Sequence, residues 1–457
     1  MIADRVDLSP MWSAEQLRTR VELGEIDTVI LAMTDMQGRL QGKRLHAQYF
    51  LDEVLRHGSE ACNYLLAVDV EMTPVDGYAV SGWERGYGDF VLSPDLTTLR
   101  PLPWLPGSAL VLADVLWHDG SPVVQSPRQV LRHQLDRLAE RGLVPYVGTE
   151  LEFIVYRDSY EEAQQKGYRA LSPANGYNVD YSLLGTTRVE PLLRDIRLGM
   201  AGAGLQPESA KGECNLGQQE IAFRYAEALK TADQHSIYKH GAKEIAAQHG
   251  MSLTFMAKPN QREGNSCHIH FSLRSKSGQP LMSNGDALSV TGERVLAGLL
   301  ATTAEFSVLY APNINSYKRF QEGSFAPTAL RWGRDNRTCA LRLVGHDLSL
   351  RVEHRVPGGD VNPYLAISAL IAGALHGLDN NLELEPVFTG NAYRDETATR
   401  VPGTLREALT KWESSQVARE AFGDEVVTHY AHAAGVEVKA FDAAVTDWEL
   451  VRGFERL

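Results

Sequence analysis

Two glutamates stand two residues apart in a segment that alternates as a β-strand does. Residues 148–156 read GTELEFIVY, and this spacing predicts a strand with Glu150 and Glu152 on one face and apolar side chains on the other. Two carboxylates on one face can bind a cation. Taken alone, the segment is also typical of a charged strand face exposed to solvent.

A second segment repeats the pattern with histidines. Residues 267–273 read CHIHFSL, which places His268, His270 and Ser272 on one predicted strand face. Histidines at this spacing are either metal ligands or hydrogen-bonded structural residues. The other candidates are Glu213 and Glu220 in 212–220, Arg351, Glu353 and Arg355 in 351–356, and the cations Lys318, Arg319, Arg337 and Arg342.

Together these residues favour metal-dependent phosphate chemistry. Ligand sets rich in carboxylate oxygen, with one imidazole, suit Mg²⁺ or Mn²⁺ better than a structural zinc ion. Arginines beside carboxylates suit a phosphate, which guanidinium groups bind through two parallel hydrogen bonds. The combination predicts metal-assisted phosphoryl transfer from a nucleotide. The sequence contains no Walker loop and no convincing dinucleotide-binding loop, so a different fold must hold that nucleotide.

The elements that must position these residues are both strands and helices. Ser13 and Gln16 form a predicted capping box for a helix that stops near Gly24, and Thr28–Thr34 is predicted as a strand. Further predictions are a strand at Thr149–Tyr156 and helices at Ala226–His249 and Pro363–His376. We expect an N-terminal helical segment over 1–23, a small sheet domain over 24–118 and a large domain over 119–457.

Composition and charge exclude several classes of protein. The chain has 457 residues and a formal charge of −13, which argues against non-specific binding to nucleic acid or to anionic membranes. The stretch Met1–Gln16 has charged residues and no apolar run, so no secretory signal is predicted. We therefore expect a cytoplasmic protein that acts on small molecules.

The motifs, in order, resemble those of the glutamine synthetase superfamily over nearly the whole chain. They are GTELEF, GECNLGQQE, GNSCHIHFSL, NSYKRF, NRTCALRL and RVEHRVPGGDVNPYL. Within the superfamily, the chain resembles the glutamine synthetase-like ligases that join glutamate to an amine. The resemblance implies an α+β fold with a small N-terminal β-grasp domain and a catalytic domain of antiparallel sheet and helices. It also implies a homo-oligomeric ring, expected to be a dodecamer, with active sites between neighbouring subunits.

The resemblance also implies roles for individual residues. One divalent ion is expected at Glu152, Glu213 and Glu220, and a second at Glu150, His268 and Glu353, with two to three Mg²⁺ or Mn²⁺ ions per site. ATP, the cosubstrate, is expected at Glu208, Tyr225, His270, Ser272, Arg337, Arg342 and Arg351. Glutamate is expected at Gly264, Arg319 and Arg355. Asp76, Glu213, Arg337 and Phe325 are the expected catalytic set, and Asp76, Asp89, Tyr181 and Phe325 the expected amine pocket.

The sequence departs from the ammonia-using members of this superfamily at the amine. Those members carry a glutamate on a flap where this chain has Phe325, and the segment 75–79, VDGYA, keeps Asp76 but lacks the usual two serines. Glu263 stands where an asparagine that touches glutamate is usual. These changes favour an organic amine, and a short monoamine such as ethanolamine is our first expectation.

Several alternatives remain open at this point. Within the same reaction, the amine could be putrescine or spermidine, or the enzyme could be a plain glutamine synthetase that uses ammonium. A hydrolase could use the same two-metal site to activate water. A non-catalytic ring is a further alternative, although all six expected metal ligands are present.

Overall fold

The computed structural model describes residues 11–457. The first ten residues of the predicted helical segment 1–23, and of the stretch used to exclude a signal peptide, lie outside the described residues. The predicted capping box is confirmed, because the Gln16 amide donates to Ser13 Oγ at 3.2 Å and the Ser13 amide donates to Gln16 Oε1 at 2.8 Å. Helix α1 (Ala14–Glu22) begins there.

A six-stranded sheet is formed by residues of the predicted small domain. Its strands are β1 (Thr28–Thr34), β2 (Leu40–His46), β3 (Ser59–Cys62), β4 (Asp89–Pro94), β5 (Arg100–Pro101) and β6 (Ser108–Leu116). Their order is β2-β1-β6-β4-β3, with β5 beside β6. The pair β1 and β6 is parallel and the other pairs are antiparallel. All six strands fall within 24–118.

A nine-stranded sheet forms the centre of the rest of the chain. The remaining strands are β7 (Leu143–Tyr156), β8 (Pro207–Gly212), β9 (Gln218–Phe223), β10 (Ala226–Glu227), β11 (Ser252–Thr254), β12 (Cys267–Ser275), β13 (Ser283–Asn284), β14 (Ala287–Leu288), β15 (Trp332–Arg334), β16 (Leu341–Val344) and β17 (Arg351–His354). The sheet order is β15-β16-β17-β12-β7-β9-β8, with β10 and β11 also on β7, while β13 and β14 pair with each other. The sheet is antiparallel, as expected, except that β15 and β16 are parallel.

Helices cover the apolar face of this sheet. The other helices are α2 (Ala47–Tyr49), α3 (Leu55–His57), α4 (Pro127–Glu140), α5 (Tyr160–Gln165), α6 (Leu183–Thr187), α7 (Glu190–Gly202), α8 (Ala228–Gln248), α9 (Val290–Thr303), α10 (Ser307–Tyr310), α11 (Pro363–Asp379), α12 (Leu405–Ser414), α13 (Gln416–Phe422), α14 (Asp424–Ala443) and α15 (Asp447–Gly453). Helices α4 and α8 pack on β7, and the almost wholly buried α11 packs on α4, α8 and α9. The fold is therefore α+β, as the sequence predicts.

Buried polar contacts join the two sheets on either side of the predicted boundary at 118. Arg128 at the start of α4 is 2% exposed and forms ion pairs with Asp95, Asp114 and Asp233 at 2.7, 2.6 and 3.1 Å. Asn362 donates to the Asp35 carbonyl at 3.0 Å. One continuous hydrophobic core includes residues from both sides. The boundary itself remains a prediction.

Candidate active site

The polar residues found in the sequence lie on one face of the nine-stranded sheet. Neighbouring strands are paired so that candidate residues lie directly opposite one another or, in one pair, opposite Lys211, which the sequence analysis did not identify. The opposed pairs are Lys211 and Glu220, Glu152 and Glu220, Glu150 and His268, His270 and Glu353, and Arg342 and Glu353. The strand register thus gathers side chains as far apart in the sequence as Glu150 and Glu353.

Three glutamates form the first cluster. Glu152, Glu213 and Glu220 offer carboxylate oxygens that all lie within 4.8 Å of one another. Lys211 pairs with Glu213, and its Nζ lies 3.6 Å from Glu220. Burial raises the pKa of Glu220 to about 8 in spite of Lys211, and the charges of Glu150 and Glu152 add to the shift. Crowded carboxylates of this kind are a donor set suited to Mg²⁺ or Mn²⁺.

The second cluster has a glutamate between two histidines. His268 Nδ1 lies 3.5 Å from Glu150 and 3.3 Å from Glu353, and His270 Nε2 lies 2.9 Å from Glu150. Arg351 Nε donates to His270 Nδ1 at 3.1 Å. Because a guanidinium only donates, His270 Nδ1 must accept, and His270 carries its proton on Nε2.

This tautomer separates the two histidines by role. Distance alone groups Glu150, His270 and Glu353 within 4.8 Å, whereas the resemblance assigns His268 as the ligand. The Nε2 proton of His270 points at Glu150 and leaves that nitrogen no lone pair for a metal. Burial, followed by the charge of Arg355, lowers the pKa of His268 and so favours the neutral imidazole that metals bind. The geometry therefore favours His268.

Glu353 connects this cluster to two arginines. It is 1% exposed and accepts from Arg342 Nη1 at 2.8 Å and from Arg355 Nη1. Burial alone would raise its pKa, but the charges of His268 and Arg355 outweigh burial and lower the pKa to about 2. Glu353 is therefore ionised, and its two oxygens hold both guanidinium groups at the site.

Glu152 is positioned by a residue that the sequence analysis did not identify. Gln218 Nε2 lies 3.1 Å from a Glu152 oxygen and 2.9 Å from the Gly264 carbonyl, and the Ser266 amide donates to Glu152 at 2.7 Å. Gln218 lies two residues before Glu220 in the GQQE motif. Alternation within a strand places Gln218 and Glu220 on one face, and this signal could have identified Gln218.

A cavity of about 360 Å³ lies over both clusters, and the expected glutamate-binding residues line it. Arg319 is 2% exposed, and its Nη1 donates to the Val356 carbonyl at 2.9 Å. Gly264 packs so closely that a Cβ there would lie 2.4 Å from the Ala257 carbonyl oxygen. Gly264, Arg319 and Arg355 are thus brought together, and only glycine fits at the first position.

Two aromatic residues of the expected amine pocket also line this cavity. Phe325 and Tyr181 are 56% and 71% exposed. Both have left-handed backbones, with φ of 60° and 53°, which is unusual for bulky residues. Arg355 Nη2 donates to the Phe325 carbonyl at 3.2 Å. The Phe325 backbone is therefore tied directly to an arginine that also binds Glu353.

A second cavity of about 630 Å³ shares Glu150 with the first. It is lined by five of the residues expected to contact ATP, namely Glu208, Tyr225, His270, Ser272 and Arg351. The other two, Arg337 and Arg342, line the first cavity. The sequence analysis did not identify Arg274, whose guanidinium lies 4.3 Å from the Tyr146 ring centre and donates to the Tyr225 hydroxyl at 3.0 Å. No periodic signal marked this contact.

Two acids of the expected amine pocket lie elsewhere. Asp76 and Asp89 are exposed and line neither of the two cavities. The carbonyl of Asp76 instead accepts from His432 Nε2 on α14 at 2.8 Å. Within the described part of one chain, the structure does not bring these acids to Tyr181 and Phe325.

Comparison with known proteins explains this arrangement. Residues 124–452 match the description "Glutamine synthetase, catalytic domain". The chain belongs to the glutamine synthetase family. It is similar to a gamma-glutamylethanolamide synthetase of Streptomyces coelicolor, with 64% identity over 456 residues, 100% of this chain and 98% of that protein. It is also similar to a glutamate–isopropylamine ligase of a Pseudomonas species, with 38% identity over 96% of this chain and 97% of that ligase.

Solved structures agree with this assignment to the glutamine synthetase family. A structure described as a GmaS/ADP complex matches with a TM-score of 0.85 at 26% identity, covering 96% of this chain and 99% of that one. Across residues 11–457, no helix has the length and apolar character needed to cross a membrane. The enzyme is thus a glutamine synthetase-family ligase with acidic clusters that fit divalent cations.

Proposed function

We propose that the enzyme joins the γ-carboxylate of glutamate to a small organic amine, with ethanolamine as the preferred amine, and that it consumes ATP. The similarity to a gamma-glutamylethanolamide synthetase over the full chain supports this proposal. The relative named for isopropylamine supports the broader class of small amines.

The observation that carries the proposal is that two cavities meet at Glu150. One contains the residues expected to hold the nucleotide, and the other contains arginines and Gly264 suited to an amino acid carboxylate. A ligase that activates a carboxylate with ATP needs these two substrates end to end, with cations at their junction. Glu150 of the second cluster lines both cavities, and the three glutamates of the first cluster line the first cavity.

The reaction has two balanced steps. The glutamate γ-carboxylate attacks the γ-phosphorus of ATP and ADP leaves, which gives an acyl phosphate. The amine nitrogen then attacks the acyl carbon and phosphate leaves. Divalent cations at the two clusters supply charge neutralisation of the phosphates. Arg337 and Arg342 bind the transferred phosphoryl group, while Arg319 and Arg355 orient glutamate.

Deprotonation of the amine requires a base. An alkylammonium is mostly protonated at neutral pH, as a lysine with a pKa near 10.4 is. Glu213 at the cavity, or Asp76 from a neighbouring subunit, takes this proton. Phe325 contacts the carbon atoms of the amine, in a place where a small hydrated ammonium ion gains nothing from an apolar ring.

We propose further that the enzyme is a homo-oligomeric ring, a dodecamer, in the cytoplasm, where ATP and glutamate are plentiful. In such a ring, Asp76 and Asp89 complete the site of the next subunit. Exposed apolar side chains support the assembly, because Trp83 is 72% exposed and Trp448 and Phe454 near the C-terminus are 68% and 90% exposed. Size-exclusion chromatography with light scattering tests the subunit number.

The experiment that tests the function is a comparison of amines. Phosphate release is measured with Mg²⁺, ATP and glutamate in the presence of ethanolamine, isopropylamine, putrescine or ammonium, and products are identified by mass spectrometry. We expect γ-glutamylethanolamide to form fastest. Turnover with ammonium alone would make this a plain glutamine synthetase. Hydrolysis of a substrate in the absence of ATP would favour a hydrolase.

A further inference from the structure

Lys211 lies inside the amine end of the active site. It is on β8, and the register places it opposite Glu220, on the same face as the glutamate clusters. Its ammonium pairs with Glu213 and lies 5.1 Å from the centre of the Tyr181 ring. The side chain is 26% exposed and lines the same cavity as Phe325. A fixed cation therefore stands beside the residues proposed to receive the amine.

The register, and not only the side-chain rotamer, keeps Lys211 in this place. Strand β8 pairs with β9 at Lys211 and Glu220, so a residue at 211 must point to the site. Two of the other cations that line the cavity are bound by fixed protein groups. Arg319 donates to the Val356 carbonyl, and Arg355 donates to Glu353 and to the Phe325 carbonyl.

We propose that Lys211 selects amines with an uncharged tail by repelling a second ammonium group. This inference rests on the proposed function, and it deepens it by naming the substrate class as monoamines. A diamine such as putrescine must bring its distal ammonium into a cavity that already contains the Lys211 charge. A hydroxyl tail, as in ethanolamine, carries no such charge and can donate or accept a hydrogen bond.

The carboxylates facing Lys211 set the balance of charge. Asp180, Glu213 and Glu220 all line the cavity, and Asp180 is exposed. Asp180, together with Glu263, which also lines the cavity, would attract a second ammonium. The selectivity therefore depends on Lys211 offsetting the local negative charge. The Lys211 ammonium and the distal ammonium of a diamine, about 6 Å apart at an effective dielectric of about 40, would repel each other. This repulsion would change the ratio of kcat/KM between the two classes of amine by about tenfold.

The first test uses a matched pair of substrates with the unmodified enzyme. The two compounds 4-aminobutanol and putrescine have the same carbon chain and differ in whether the tail carries a hydroxyl or an ammonium. We expect kcat/KM to be at least about tenfold higher for 4-aminobutanol. Equal values would overturn the inference while leaving the proposed ligase intact. If the enzyme turns over none of the amines, the proposed function is refuted, and this inference with it.

The second test removes the charge. Lys211→Met keeps the length and apolar stem of the side chain, and Lys211→Arg is the matched control that keeps the charge. Both variants receive 4-aminobutanol and putrescine in one mixture, and the product ratio is read by mass spectrometry. We expect Lys211→Met to shift the ratio toward putrescine by about tenfold and Lys211→Arg to keep the wild-type ratio. A ratio unchanged in Lys211→Met, or shifted equally in both, would show that Lys211 is only a counter-ion of the glutamates. If Lys211→Met is inactive, equal kcat/KM values for the matched pair with the wild-type enzyme still overturn the inference.

Discussion

Phe325→Glu should give the enzyme better use of ammonium. Phe325 lines the substrate cavity at the position where ammonia-using relatives are expected to carry a glutamate. Its φ of 60° is a strained backbone that any large side chain at this position must share. Phe325→Gln is therefore the matched control, because it has the same shape and backbone cost as the glutamate but no charge.

The magnitude follows from charge and exposure. A carboxylate about 4 Å from an ammonium ion, at an effective dielectric of about 20, would attract it by about 4 kcal/mol. Phe325 is 56% exposed, so solvent screens most of this attraction and about 1–2 kcal/mol should remain. This corresponds to about a tenfold gain in kcat/KM for ammonium over the glutamine control. Both variants should lose efficiency with ethanolamine, by up to about 0.8 kcal/mol for each methylene that no longer contacts the ring.

The assay is phosphate release at saturating ATP and glutamate, with ammonium or ethanolamine varied. Equal kcat/KM for ammonium in Phe325→Glu and Phe325→Gln would refute the reasoning about the flap. An unchanged kcat/KM for ethanolamine in both variants would show that the Phe325 ring does not contact the amine. Circular dichroism and thermal melting of the two variants should agree, since the backbone strain is common to both.

Three other changes test the site and the fold. Gly264→Ala places a Cβ 2.4 Å from a backbone oxygen and should raise KM for glutamate by about tenfold or more. Gly176→Ala is the control, because a Cβ there meets open space, and it should leave KM for glutamate unchanged. Glu353→Gln should reduce turnover by about a hundredfold and should weaken Mn²⁺ binding, as measured by calorimetry. Mn²⁺ binding as tight as in the wild type would contradict the assignment of the second cluster as a metal site. Arg128→Met leaves the buried Asp233 without the cation that pairs with it, whereas Asp95 and Asp114 keep Arg132. The change should cost about 3 kcal/mol of stability at pH 7. Burial alone would raise the pKa of Asp95, but hydrogen bonds from Thr97 and Arg128 lower it. The stability that ionised Asp95 contributes is therefore lost as pH falls through this lowered pKa. The difference between wild type and Arg128→Met in chemical denaturation should therefore shrink in acid.

Sequence periodicity was sufficient for the strand faces. Alternation predicted that Glu150 and Glu152 share a face, and the structure confirms this with both residues lining one cavity. The predicted strand at Thr28–Thr34 is confirmed at both ends. The helix predicted at Ala226–His249 begins two residues later, because Ala226 and Glu227 pair with β7 before the helix starts.

Contacts that depend on strand register could not be derived from periodicity. Lys211 enters the site because β8 pairs with β9 in one particular register, and no pattern within the chain fixes that pairing. The tautomer of His270 depends on Arg351, which is 81 residues away in sequence. Asp76 and Asp89 line neither cavity of this chain, and their place in the amine pocket belongs to the proposed oligomer.

The charge arrangement also distinguishes a ligase from a hydrolase built on the same metal ligands. A hydrolase needs cations and water at one cavity, whereas here Glu150 and His270 belong to a second cavity lined by Tyr225 and Arg351. Arg351 fixes the proton on His270 Nε2, and that proton donates to Glu150. The cavity proposed for the nucleotide therefore sets the hydrogen bonding of a glutamate that also lines the cavity proposed for the cations. Coupling of this kind serves an enzyme that must hold ATP and a carboxylate in line, and a hydrolase would have no use for it.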